Sequence, residues 1–229
     1  IQEGFESGWT DHTFIDANTN WYSANGVSVE NDFGTGGTWG LGNSANIFTW
    51  MGHSFQWSDT ALTGVLVGMD FQTNASALFD DDRIGWMNVG NSTVSDNFFG
   101  VQLDPNSGGT QNIEAYWDGV TVNDGGRTSI ASLTGLSANS WYRLRAEITK
   151  LTDTSAKIDV TLTALDAGGN PTSLVASGSI PDTSLLPDTT DNYKPKPGYF
   201  TATTMYPAFK NHGGTAGNAD NAYFEILTT

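Results

Sequence analysis

The sequence predicts an all-β chain folded as two stacked antiparallel sheets. Three observations carry this. Short runs alternate apolar and polar residues along the whole length, and clusters of Gly, Asn, Asp and Pro separate them. Helical spacing is not sustained over even three turns anywhere in the chain. A period of two places one set of side chains on a core face and the other set on the opposite face.

Taken in order, Val65, Val67, Met69 and Phe71 alternate with Leu66, Gly68, Asp70 and Gln72. Phe99, Val101 and Leu103 oppose Gly100, Gln102 and Asp104, and Ile113, Ala115 and Trp117 oppose Glu114, Tyr116 and Asp118. Tyr142, Leu144, Ala146 and Ile148 oppose Trp141, Arg143, Arg145 and Glu147, while Ile158, Val160 and Leu162 oppose Asp159, Thr161 and Thr163. Turn chemistry separates these runs. Residues 104–109 (DPNSGG), 123–126 (NDGG) and 166–171 (DAGGNP) supply the positive-φ positions that tight hairpins require. The best helical candidate, Ser184 to Leu186, is confined between Pro181 and Pro187. Residues 181–197 read as a long surface loop, followed by strand-like stretches at Gly198 to Phe209 and Ala222 to Leu227. No linker or repeat divides the chain, so residues 1–229 are expected to form one sandwich domain.

Composition narrows the partners. Nine basic against 25 acidic side chains give a net charge of −16, which opposes nucleic acid, whose phosphates need a basic surface. The same charge favours a neutral over a polyanionic glycan. No apolar run is long enough to span a membrane as a helix. The absence of cysteine removes disulfides, thiolate–zinc sites and thiol nucleophiles. Polar bulk comes from Asn, Thr, Ser and Gly rather than charge, a texture that suggests an exported, extracellular or cell-surface protein. The first 82 residues hold eleven carboxylates and no Lys or Arg, a donor set suited to a hard cation such as calcium.

The opening Glu3-Gly4-Phe5-Glu6-Ser7-Gly8-Trp9, the stretch from Ser140 to Ile148 (SWYRLRAEI) and the closing Ala219-Asp220-Asn221-Ala222-Tyr223-Phe224-Glu225-Ile226 together resemble the concanavalin A-like (laminin G-like) jelly rolls of bacterial secreted and carbohydrate-active proteins. The resemblance implies an antiparallel jelly-roll β-sandwich whose first and last strands lie side by side. It also implies a structural calcium where those strands meet, with Glu6 and Asp220 as carboxylate ligands and Glu3 and Asn221 as further candidates. Fold alone does not transfer function.

Catalytic signatures are sparse. Glu114 and Asp118 lie roughly 13 Å apart along one strand, too far for the carboxyl pair of a glycosidase. A cross-strand pair of Glu114 with Glu147 stays open, as does a lyase set of Tyr206, Lys210 and His212 with Arg143 and Arg145. No Gly-x-Ser-x-Gly elbow occurs, and three histidines without His-x-His spacing argue against a zinc centre. What remains is aromatic. Sugar rings pack their C–H faces on indole and phenol rings while their hydroxyls meet planar polar groups. The reading is therefore a noncatalytic, lectin-like module that binds a polysaccharide on a concave sheet. Trp86 and Tyr116 would stack, Gln102, Asp118 and Arg145 would hydrogen-bond, and Trp50 and Trp57 would wall one side. Two alternatives are a polysaccharide-degrading hydrolase or lyase, and a surface or filament protein that self-associates through an edge strand or calcium.

Overall fold

The computed structural model describes residues 54–79, 81–88, 98–104, 110–118, 125–189, 194–201, 205–210 and 218–229, with the backbone of six short strands before residue 52. Those six are β1 (Gln2–Glu3), β2 (Thr13–Phe14), β3 (Trp21–Ser23), β4 (Ser28–Glu30), β5 (Gly40–Gly42) and β6 (Thr49–Met51). Longer strands follow: β7 (Leu62–Gln72), β8 (Asp82–Met87), β9 (Phe98–Asp104), β10 (Gln111–Asp118) and β11 (Gly126–Leu133). Then come β12 (Trp141–Thr152), β13 (Ser155–Leu165), β14 (Pro171–Ile180), the short helix α1 (Gly198–Thr201), β15 (Tyr206–Lys210) and β16 (Ala219–Thr228).

The strands form an antiparallel β-sandwich. The first sheet runs β14-β13-β12-β7-β16-β5-β4-β2, with β1 also paired to β16, and the second runs β11-β10-β9-β8-β15-β6-β3. The first and last strands do lie side by side, Gln2 opposite Tyr223 and Glu3 opposite Ala222. Residues 198–201, expected as strand, instead form helix α1, whose Tyr199 and Phe200 are buried. The helical candidate after Pro181 is a single 3₁₀ turn, Thr183–Leu185, in which the Asp182 carboxylate accepts from the Ser184 N–H. At the β13–β14 hairpin, Asp166 Oδ1 accepts from the backbone N–H of both Gly168 and Asn170, and Gly169 takes a φ of 79°.

Alternation sorted the core correctly in most strands. Val65, Met69 and Phe71 of β7, Leu144, Ala146 and Ile148 of β12, and Ile158 and Leu162 of β13 are sealed between the sheets. Ile113, Ala115 and Trp117 join them from β10.

Strand β8 departs from the expectation. Trp86 faces inward beside Ile84, because β8 pairs with β9 in a register that sets Trp86 opposite Phe99 and Ile84 opposite Val101. The indole of Trp86 stacks on that of Trp57 at 5.3 Å and packs against Phe99 at 4.8 Å. Its Nε1 donates to the Tyr199 carbonyl at 3.0 Å, and Trp57 Nε1 donates to the Thr152 carbonyl at 3.0 Å. Both rings are fully buried, so neither Trp86 nor Trp57 offers a face to a sugar. The run Arg83 to Val89 carries bulky apolar residues at both parities, which is why its pattern inverts so easily.

Candidate functional site

With Ile84, Trp86, Phe99, Val101, Ile113, Ala115, Trp117 and Phe209 in the core, the intervening residues of β8, β9, β10 and β15 share the outer face of the second sheet. Register arranges them in three rows. Lys210, Arg83, Gln102, Glu114 and Ser129 form one, and Ala208, Gly85, Gly100, Tyr116 and Arg127 form the next. Tyr206, Met87, Phe98 and Asp118 form the third. In the middle row Gly85 and Gly100 face each other so closely that a Cβ on either would strike the backbone of the facing strand. This bare strip leaves room for a ring, and Tyr116 packs there against Met87, Phe98 and Ala208.

A polar relay crosses the first row. Arg83 Nε donates to Gln102 Oε1 at 2.9 Å, and Gln102 Nε2 donates to Glu114 Oε2 at 2.8 Å. Arg127 Nη1 reaches Asp104 at 2.9 Å and Glu114 at 3.9 Å. The Arg83 guanidinium also lies over the Tyr116 ring, 3.9 Å from its centre, and pairs with Asp81 at 3.5 Å. Tyr116 donates from its hydroxyl to Asp118 Oδ2 at 3.2 Å. Arg83, Gln102, Asp104, Glu114 and Lys210 are all buried, although they point away from the core.

Electrostatics follow from that burial. Desolvation pushes the Glu114 carboxyl up; Gln102 and Arg127 pull it down while neighbouring Asp104 adds to the rise. Burial likewise pushes the Tyr116 phenol up to about 12, against the opposing pull of Arg83. Tyr116 is therefore a hydrogen-bond donor at neutral pH, not a base. A carboxyl raised in the folded state contributes stability below its unfolded pKa and loses it as pH rises through the folded value. Glu114→Gln cannot ionise, so its stability is expected to gain on the wild type as pH rises above the ordinary carboxylate range, about pH 4. Urea midpoints measured along that rise check this; a flat or inverted difference would contradict it.

The expected residues separate into three groups. Gln102, Tyr116 and Asp118 do come together on this face. Arg145 does not: it lies on β12 in the first sheet, on the opposite side of the sandwich, pairing with Glu147 at 3.2 Å. The same separation removes the Glu114–Glu147 carboxyl pair and divides Arg143 and Arg145 from Tyr206 and Lys210. Trp50 is described only by its backbone, opposite Ala208 and so in line with the middle row; His212 lies outside the described residues. Arg83 and Arg127 went unassigned in the sequence, although Arg83 shares parity with Gly85 and Met87 on β8.

Of the calcium candidates, Glu6 lies outside the described residues and Glu3 is described only by its backbone. Asp220 is buried opposite Asp70 and accepts the Asn221 N–H at 2.7 Å. Asn221, at a φ of 51°, sits in a bulge of β16 and donates from Nδ2 to Asp70 at 2.9 Å. Arg143 holds both Asp70 oxygens, at 2.7 and 2.8 Å. Among the described residues no group of three His or carboxylate side chains converges, and Asp220 with Asn221 does not by itself make up the oxygen-rich shell of calcium. Among the described residues no helix is long and apolar enough to cross a membrane.

No family model matches the chain, and no curated protein matches it. Among solved structures, the marine PL-14 alginate lyase from Aplysia kurodai is similar with a TM-score of 0.51 and 9% identity, over 99% of this chain and 98% of that one. The enzymatically active domain of bacteriophage CBA120 tailspike protein 2 gives a TM-score of 0.44 and 16% identity over 98% of this chain. This chain spans only 30% of that tailspike chain. Alginate lyase Aly36B gives 0.41 and 9% identity, over 90% of this chain and 81% of its own. At such identities the likeness to the Aplysia enzyme is one of fold, a sheet-rich sandwich shared along nearly the whole of both chains.

Proposed function

We propose that the protein binds a polysaccharide on the outer face of its second sheet, as a noncatalytic, lectin-like module of concanavalin A-like type. The observation that carries this reading is the relay from Arg83 through Gln102 to Glu114, flanked by Arg127 and Asp104. Stability alone gives little reason to bury such a network on a face turned away from the core, since apolar replacements often serve as well. The half-buried ring of Tyr116, with the partly exposed Asp118 and the exposed Arg127 beside it, supplies both kinds of contact a sugar makes, and the buried relay beneath holds them in place. The fold supports the choice of ligand class, because a neighbour of matching length is an alginate lyase. Such a role would place the protein outside the cell.

Affinity electrophoresis through gels containing neutral or uronate polysaccharides tests the reading. The wild type is expected to be retarded by at least one, and Tyr116→Ala to bind at least about tenfold more weakly, a loss of about 1.4 kcal/mol. Absence of retardation by any gel, or a folded Tyr116→Ala retarded as strongly as the wild type in every gel, would overturn it. A second reading, catalysis, rests on the raised Glu114 carboxyl, which is equipment for general acid–base chemistry. Release of new chain ends from the bound polysaccharide would select that reading.

A further inference from the structure

The outer face of the first sheet carries a different arrangement. Of the described tryptophans, Trp57, Trp86 and Trp117 are sealed in the core, whereas Trp141 at the start of β12 keeps exposed surface on this outer face. Its neighbour across the strand is Gln72, whose Oε1 accepts from Asn218 Nδ2 at 3.2 Å. Two outward positions further along β12, Arg145 lies level with Gly68 of β7 and Tyr223 of β16. Gly68 has no side chain for a reason: a Cβ there would collide with the Tyr223 ring, so the phenol lies flat on the sheet. Tyr223 is half-buried, which leaves part of that ring open to solvent. Between the two rings run the partly exposed Arg143 and Arg145, with Thr163 and Thr161 opposite them on β13.

The basic groups on this face are paired. Arg143 is held by Asp70, Arg145 by Glu147 at 3.2 Å, and Lys157 by Asp159 at 2.8 Å. Glu225, exposed on β16 level with Leu66 and Glu147, and the buried Asp220 add negative charge. The surface therefore disfavours a polyanion and is compatible with a neutral chain. It offers two aromatic platforms, hydroxyls, amides and guanidinium planes on a flat support. Four residues along a strand and two strand spacings put Trp141 and Tyr223 roughly 16 Å apart, the span of a short run of sugar rings.

We propose that this face is a second glycan-binding surface, taking a neutral polysaccharide chain laid from Trp141 to Tyr223. It is independent of the site on the second sheet, since the two lie on opposite sides of the sandwich. The flat Tyr223 alone has a sufficient structural explanation in covering Gly68. Trp141 and Arg145 do not, and they choose the occupant.

Affinity electrophoresis on hydroxyethylcellulose, barley β-glucan and galactomannan tests the proposal. The wild type is expected to be retarded by at least one of them. Trp141→Ala and Arg145→Ala are each expected to weaken that retardation about fivefold or more, and Trp141→Phe to restore most of it. Tyr116→Ala, altered only on the opposite sheet, is expected to keep the Trp141-dependent retardation. Circular dichroism confirms that each variant is folded. Equal retardation of wild type, Trp141→Ala and Arg145→Ala overturns this surface while leaving the first site to stand on its Tyr116 result. No retardation by any of the three neutral polymers also overturns it, even where a uronate polymer binds through Tyr116.

Discussion

Trp86→Ala is expected to cost about 3–5 kcal/mol of unfolding free energy, the range for deleting a large aromatic from a packed core. The indole has no exposed surface and touches Trp57, Phe55, Phe99 and Phe200, so its removal opens a cavity lined on several sides by rigid rings. The Tyr199 carbonyl also loses the Trp86 donor, which leaves Asn88 Nδ2 on the Gly198 carbonyl to hold helix α1 beside the end of β8. Against a typical total of about 5–15 kcal/mol, that loss brings the protein near its unfolding threshold. Trp86→Phe is expected to fall between the two, keeping the stacking but not the hydrogen bond. Urea denaturation gives the number. Polysaccharide retardation of the folded fraction should stay as in the wild type, because the ring contacts no solvent. A cost under about 1 kcal/mol, together with lost binding, would instead return Trp86 to the surface role its sequence suggested.

Arg143→Ala is expected to cost about 3 kcal/mol, the low end for breaking a buried ion pair. Asp70 is completely buried and has both oxygens on this guanidinium, whereas Arg143 is itself 30% exposed. Removal takes that charge away from the buried Asp70, to which Asn221 Nδ2 still donates. The pairing is strong enough that Asp70 hydrogen bonds, ahead of opposing burial, raise the Arg143 pKa above its ordinary value. Arg143→Lys is expected to recover only part of the loss, since an ammonium cannot make the two parallel bonds. The effect should reach the bulge at Asn221, which the same carboxylate anchors. Denaturant midpoints for the three proteins decide it; a loss below about 0.5 kcal/mol would mean that the pair behaves as a surface contact.

How much of the binding face was legible follows strand by strand. In β9 and β10, strict alternation assigned Gln102, Tyr116 and Asp118 to one outward surface, and register confirms that Gln102 stands beside Glu114. In β8, apolar residues at both parities hid the phase, and Trp86 took the wrong side. The outward residues of β8 and β9 are themselves packed, Met87 and Phe98 beneath Tyr116, so a two-sided strand carries no clean pattern to read. Arg127 was silent because a bulge between Ile113 and Glu114 shifts the register of β10 against β11.

The amino-acid order alone determined that this chain is all-β, that most described strands bury one parity, and that the β13–β14 hairpin turns at its Asp, Gly and Asn cluster. Those properties are local: backbone preference and a period of two act within a few residues. Only the tertiary structure decided which strands share a sheet. Arg145 and Gln102 read identically as outward polar residues, yet β12 joins β7 and β13 while β9 joins β8 and β10, and the core separates the two side chains. Sheet membership depends on pairings between residues far apart in sequence, some across more than a hundred positions such as Pro207 with Trp86. No short stretch of sequence contains that information.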